Sequence, residues 1–200
     1  MCRVVAEVVR SPVLIAQKER LVREPEELQR FERLVMPHLG AGYNLARWLT
    51  HNDHDAEDVV QEAYLRAVRS FDRYRGGDPR SWVLTIVRNT CYTWLRQNRA
   101  APSAPAGDAD DDSVAEIPGD PAEQPDVQFL RAVDRQLLRE ALEALPTEFR
   151  EALVLRELEG FSYKEIADIT DVPLGTVMSR LARARKQLQQ SLVGRMKEGA

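Results

Sequence analysis

The sequence predicts an all-α protein, two small helical domains joined by a flexible acidic linker, and three observations carry that expectation. Apolar residues between Glu26 and Arg99 recur at spacings of three and four, with no alternating run of strand type. Residues 100–126 hold eight acids, no base and five prolines, a composition that neither buries enough apolar surface to offset ordering entropy nor permits regular helix. Beyond it, a capping-box signature, a tight turn and a long basic helix follow one another in helix-turn-helix spacing. The chain therefore divides into an extension over 1–25 to which the sequence assigns no role, a helical body over 26–99, the connector over 100–126 and a second helical body over 127–200.

In the first body the clearest helix is expected to open at Asp55 as N-cap, with Glu57 and Asp58 in the first turn where the helix dipole favours anions, and to run to about Ser70. Val59, Val60, Ala63, Tyr64, Ala67 and Val68 form its buried stripe. Asp58, Gln61, Glu62, Leu65 and Arg69 fall on the opposite face, a row of acid and amide groups with one exposed leucine. A second helix, about Pro79 to Arg99, turns Val83, Ile86, Val87, Thr90, Trp94 and Leu95 toward a core. In the second body, Val127 to Ala144 reads as one amphipathic helix, Pro146 interrupts it, and Thr147 to Glu159 reads as another that stops at Gly160. Ser162 and Glu165 make the capping box, and Phe161 and Ile166 the hydrophobic staple, of a short helix ending near Ile169. Thr170 to Pro173 makes the turn, and a long helix follows from about Leu174 with Val177, Leu181, Ala184 and Leu188 buried.

Composition narrows the function classes. The chain has 200 residues, 44% apolar and 30% charged, with no stretch near the roughly 20 uninterrupted apolar residues of a spanning helix. Arg3, Glu7 and Arg10 break the apolar N-terminus and no small-residue cleavage site follows, so a cytoplasmic location without membrane insertion is expected. Cys2 and Cys91 have no metal-type spacing and read as free thiols. With three histidines, few metal-dependent or His-based catalytic schemes have residues available. A helical metal enzyme would have to use His51, Asp53, His54 and Asp55, which read more naturally as a polar loop and helix cap.

The net charge of −4 looks wrong for a nucleic-acid binder until it is divided along the chain. Of 32 acids, eight lie in residues 100–126; the remaining 24 face 28 bases, so the two helical bodies together carry +4. From Arg180 to Lys197 every charge is basic. Thr176, Met178, Ser179, Arg180 and Arg183 lie near the N-terminal end of the long helix, where a recognition helix meets base edges. Arg185 and Lys186 lie further along, in reach of phosphates. In the first body, Arg88, Asn89, Tyr92, Arg96 and Arg99 combine cationic, amide and aromatic groups suited to phosphates, base edges and stacking on an unpaired base. The preceding loop, Phe71 to Asp78 with Tyr74, Arg75, Gly76 and Gly77, permits close backbone approach. Taken alone, these residues also fit a helix hairpin with core aromatics, and the acid row of Asp58, Gln61 and Glu62 also fits a solvated surface.

Five segments in order resolve those alternatives: Asp55 through Glu62, Ser81-Trp82-Val83 through Arg88-Asn89, Leu145-Pro146, Leu158 through Ala167, and Pro173 through Leu181. Over about Glu27 to Leu192 the chain resembles bacterial sigma factors of the extracytoplasmic-function (ECF) group. The resemblance implies sigma region 2 over 26–99 and sigma region 4 over 127–200, joined by the acidic linker. It implies that Asp58, Gln61, Glu62 and Leu65 dock on the clamp helices of the largest subunit of core RNA polymerase, and that the flap of the second-largest subunit is a further contact. Tyr74, Arg75, Arg88, Asn89, Tyr92 and Arg96 would read the minus-ten element and hold a base from the opened strand. Thr176, Met178, Ser179, Arg180, Arg183 and Lys186 would meet the minus-thirty-five element on duplex DNA. An anti-sigma factor is an implied partner; no cofactor, metal or catalytic residue is implied. The linker's acids suit a basic polymerase channel that later receives RNA. Departures from the family pattern are Thr93 in place of an acid, Met178 in place of a base, and Asp171 in place of a glycine, the last suggesting a slightly different turn. The alternative class is a helix-turn-helix regulator that acts without being a sigma subunit.

Overall fold

A computed structural model describes residues 25–98 and 136–198; the N-terminal extension up to Glu24, Arg99, the acidic linker, residues 127–135 and the last two residues lie outside the described residues. The described residues are helical with no strand among them. Helix α1 spans Pro25–Val35 and passes through a 3-10 turn, Met36–His38, into α2, Leu39–Thr50. Helix α3 spans Asp53–Ser70, and a second 3-10 turn, Phe71–Arg73, leads through a glycine loop to α4, Pro79–Asn98. In the second body α5 covers 136–143, and α6, Thr147–Leu153, widens into a π turn over Val154–Leu158. Helices α7, Tyr163–Thr170, and α8, Leu174–Glu198, complete it.

The cap of α3 differs from expectation. Asn52, not Asp55, is the N-cap: its side chain accepts from the Asp55 N–H at 3.1 Å. The choice is made upstream, where His51 ends α2 in a left-handed conformation (φ 63°) and leaves Asn52 as the first extended residue. Asp53 then pairs with Arg47 and accepts from the Tyr43 hydroxyl at 3.1 Å, tying the start of α3 to α2. The cap of α4 is Asp78, which accepts from the Ser81 N–H at 2.9 Å and the Ser81 hydroxyl at 2.6 Å, with Pro79 at the first helical position where its missing N–H costs nothing.

The stripe of α4 is also corrected. Leu84 and Cys91 join Val83, Val87 and Thr90 in the interior, whereas Ile86, Trp94 and Leu95 are only half-buried. The reason is a two-sided environment: α2 and α3 pack on one flank and α7 on another, so the buried arc is wider than one stripe. At the tightest crossing a Cβ on Gly42 would meet the Val87 side chain at 3.1 Å. In the second body the expected helix over Thr147 to Glu159 is α-helical only to Leu153. The wide turn that follows ends where Gly160 (φ 71°) reverses the chain.

The helix-turn-helix forms as its sequence signals require. The Ser162 hydroxyl accepts from the Glu165 N–H at 3.3 Å and the Glu165 carboxylate accepts from the Ser162 N–H at 2.7 Å, the reciprocal bonds of a capping box. The turn keeps a left-handed residue after α7: Asp171 sits at φ 53°, ψ 49°, the conformation glycine adopts most cheaply and aspartate tolerates. One buried cluster runs from Phe31 to Ala184 through both bodies, because α6 packs on α2 and α7 packs on α4.

Candidate nucleic-acid and partner interfaces

The outer face of α3 presents Asp58 and Glu62 to solvent, with side chains 61% and 43% exposed. Asp58 lies 3.5 Å from His54 and Glu62 2.8 Å from Arg66, pairs of helical i, i+4 spacing and little energetic weight at that exposure. Gln61 is half-exposed beside them. Leu65, expected to be exposed, is partly buried and packs on the core instead. Between α3 and α4 an open groove is lined by Asp58, Glu62 and Arg66 on one side and Thr90, Thr93, Trp94 and Gln97 on the other. The face combines acidic groups with an apolar floor, which suits a basic amphipathic helix.

The residues expected at the minus-ten element fall into two groups. Tyr74 belongs to an aromatic cluster: its ring lies nearly parallel to Phe71 (6.0 Å, 11°), tilts against Trp82 (5.1 Å), and its hydroxyl donates to the Gly77 carbonyl at 2.7 Å. Gly76 and Gly77 carry φ of 98° and 99°, which a side chain would strain, and Arg75 stands exposed on this loop. The second group is Arg88, Asn89 and Tyr92 on α4. The Arg88 guanidinium lies 4.5 Å over the Tyr92 ring and donates to Asn89 Oδ1 at 3.2 Å. Arg96 is exposed and donates to the Thr93 hydroxyl at 3.4 Å.

Four residues that sequence reasoning did not assign complete this second group. Glu151, wholly buried on α6, accepts from Arg88 Nε at 2.8 Å and from the Tyr92 hydroxyl at 3.2 Å. Glu159, 7% exposed, accepts from Arg80 at 2.7 Å and from Asn44 at 3.3 Å. Burial pushes the Glu151 carboxyl up, against the opposing pull of Arg88 and Tyr92, and it pushes the Tyr92 hydroxyl up as well. The neighbouring Cys91 thiol is driven up to about 12 by burial, then by the Glu151 charge, so it is no thiolate at neutral pH.

On α8 the expected minus-thirty-five residues lie at the N-terminal end. Met178, Ser179 and Arg183 are exposed, and Lys186 is exposed one turn further on. Thr176 is half-buried, with its N–H bonded to the Pro173 carbonyl at 2.8 Å. Arg180 is half-buried, unlike the exposed Met178, Ser179 and Arg183 around it, and its charge acts on the buried Glu151 of α6. Arg185, expected to be available to phosphates, is held by Glu157 at 2.7 Å.

The residues of the metal-enzyme alternative are scattered in role: His51 ends α2, Asp53 joins α2 to α3, and His54 is exposed. Burial first, then the charges of Arg150 and Arg47, hold the His51 imidazole down at about 4. Its neutral form is the one the fold accepts, so its contribution is full above the unfolded value near 6.5 and is lost as pH falls from there toward 4. The His51 ring resonances should titrate with a midpoint near 4 by NMR, whereas His54, raised by a backbone hydrogen bond and by Asp58, should titrate above 6.5. His51→Asn, which keeps a side chain tolerant of the left-handed position, should lose less thermal stability than the parent chain across that window.

Comparison with known proteins agrees with this division. Residues 34–101 match the family model for Sigma-70 region 2, and residues 135–188 that for Sigma-70, region 4. The chain is similar to the ECF RNA polymerase sigma factor SigE of Mycolicibacterium smegmatis (38% identity over 173 residues, 85% of this chain), spanning 64% of that protein's length. It is also similar to the ECF RNA polymerase sigma-E factor of Escherichia coli K12, at 39% identity over 142 residues, 69% of this chain and 74% of that protein. Among solved structures it resembles the sigma factor RpoE in complex with the anti-sigma factor NepR from Bartonella quintana. The TM-score is 0.62 and the identity 31%, over 82% of this chain and 97% of that one. With both modules in order on one chain, and relatives matched across both, this protein belongs to the ECF group of RNA polymerase sigma factors.

Proposed function

We propose that this chain binds core RNA polymerase, directs it to promoters and promotes local strand separation, and that an anti-sigma factor holds it idle. The observation that carries the reading is the pairing of a helix-turn-helix whose α8 exposes Met178, Ser179, Arg183 and Lys186 with the first body, whose α4 carries Arg88, Asn89 and Tyr92. One body suits duplex recognition in a major groove, the other an unpaired strand. Region 2 covers 26–99 and region 4 covers 127–200, with the acidic linker between them. The α3 face with Asp58, Gln61, Glu62 and Leu65 is the docking surface for the clamp helices, and region 4 meets the flap. An anti-sigma partner is supported by the RpoE complex with NepR, a property of that protein.

Such a subunit supplies binding energy and no bond chemistry. Unpairing a base costs a few kcal/mol, offset by stacking on aromatic and guanidinium planes and by contacts to the displaced strand. None of the helices in the described residues is long and apolar enough to cross a membrane, and we place the chain in the cytoplasm with the polymerase.

Run-off transcription with purified core polymerase on a promoter library tests the reading. The chain alone should confer specific initiation; a helix-turn-helix regulator would need another sigma factor in the reaction. Within region 4, Arg183→Ala should weaken binding to the upstream element by about 1–3 kcal/mol and relax preference at one position if the side chain reads a base edge. Competition binding against single-base variants measures this, and a uniform loss on every sequence would assign Arg183 to a phosphate instead.

A further inference from the structure

Of the five large apolar side chains that stand exposed among the described residues, two lie one turn apart at the head of α8: Leu174 at 48% and Met178 at 52%. A single exposed apolar residue is ordinary. A pair at this spacing forms a continuous ledge, because helical side chains lean toward the N-terminus and residues at i and i+4 lie one above the other. The buried stripe of the helix is Val177, Leu181 and Ala184, and the ledge stands outside it. Gly175 is exposed beside it, and a Cβ there would meet nothing within 4 Å, so bare backbone leaves room for close approach by an outside surface. Arg183 and Lys186, exposed on the same helix, give that surface its sign: it is a polyanion.

The neighbours of Met178 narrow what can reach a base edge. The Ser179 hydroxyl donates to the Thr176 carbonyl at 2.9 Å, which commits its proton inside the helix. Thr176 and Arg180 are half-buried. Met178 and Arg183 are therefore the long exposed side chains of the first turns, and their chemistry is opposite: Arg183 offers a fork of donors, Met178 none. In a major groove the distinctive apolar feature of a base edge is the 5-methyl group of thymine.

We infer that Met178, with Leu174 beside it, packs on the 5-methyl group of one thymine in the upstream element and selects thymine at that base pair. The inference deepens the functional reading above and rests on its placing of α8 in the major groove. A basic side chain at 178, as the family pattern carries, would donate to guanine O6 or N7. Methionine gives up that preference for a methyl contact, and its unbranched, polarisable thioether follows an irregular apolar surface without strain. The departure at 178 thus changes which base the helix reads at one position while leaving the docking of the helix as it is.

The test uses the full chain bound to core polymerase, on the element that the run-off library selects. Each thymine of that element, on either strand, is replaced singly by deoxyuridine, which keeps every hydrogen-bonding group and removes the 5-methyl alone. Competition binding at fixed salt should show about a fourfold loss at one position, the factor that corresponds to about 0.8 kcal/mol for one buried carbon group. Met178→Ala, an exposed change to the best helix former whose folding is checked by circular dichroism, should bind thymine and uracil equally at that position and keep any sensitivity at other thymines. A selected element without thymine, one in which no uracil weakens binding, or a uracil penalty that Met178→Ala leaves intact overturns the methyl contact and leaves the functional reading standing. A complex that selects no element at all overturns the functional reading, and this contact with it.

Discussion

A chain carrying Asp58→Lys and Glu62→Lys is expected to elute apart from core RNA polymerase on gel filtration under conditions where the parent chain co-elutes. Both side chains are well exposed on the outer face of α3, and each touches only a weak i, i+4 partner, His54 or Arg66. Reversing them therefore costs the fold little. The new lysine at 62 lies beside Arg66, and like charges at that spacing destabilise a helix by only about 0.2–0.5 kcal/mol. Against a basic partner helix the same change replaces attraction with repulsion at two positions, and truncating or reversing such contacts costs roughly 2–5 kcal/mol of binding, enough to lose a complex at micromolar concentration. Thermal melting should shift slightly while the complex disappears. Co-elution at parental levels would remove this face from the partner interface and leave the groove between α3 and α4 without that role.

The parts of this protein that its sequence states plainly are those whose causes are local. The Ser162 and Glu165 box, the start of α4 and the exposed row at the head of α8 each depend on residues within a few positions of one another, and each stands where the pattern puts it. The start of α3 fails locally because Asn52, Asp53 and Asp55 are all competent caps; the left-handed His51 upstream decides among them. The donors and acceptors between the two bodies fail for a different reason. Arg88 and Glu151 are 63 residues apart, Asn44 and Glu159 115, with the linker between, and no periodicity reports on contacts at that range. One signal was present: Glu151, Leu155 and Glu159 lie at i, i+4 and i+8, so two acids share a helical face with a leucine that is fully buried. An acid on an apolar stripe calls for a cationic partner, and the arginines of α4 were the nearest candidates in kind. Packing from outside their own helices likewise leaves Leu65 partly buried and Arg180 half-buried, where the helical period alone predicts exposure.

Phe31→Ala is expected to carry the largest stability loss of any single change considered, about 3–5 kcal/mol by chemical denaturation. Phe31 is wholly buried and meets two rings edge-on, Tyr64 of α3 at 5.3 Å and Phe71 of the following turn at 5.2 Å. Its removal deletes a large apolar volume, opens a cavity that two rigid rings fill poorly, and forfeits edge-to-face contacts worth about 0.5–1.5 kcal/mol each. Against a total of roughly 5–15 kcal/mol for a domain, that is a large fraction of the stability. Phe31→Leu, which keeps most of the volume, should cost about half as much. The consequence for function is directional, because Phe71 leads on to Tyr74, whose hydroxyl pins the Gly76-Gly77 loop through the Gly77 carbonyl. Loosening Phe71 should weaken binding of an unpaired strand at temperatures well below the melting transition. Duplex binding by α8, whose buried Val177, Leu181 and Ala184 lie far from that aromatic cluster in the chain, should fall less. Equal losses in the two assays, measured on the same preparation, would mean that the aromatic chain from Phe31 to Tyr74 supports the whole buried cluster and has no special hold on the loop.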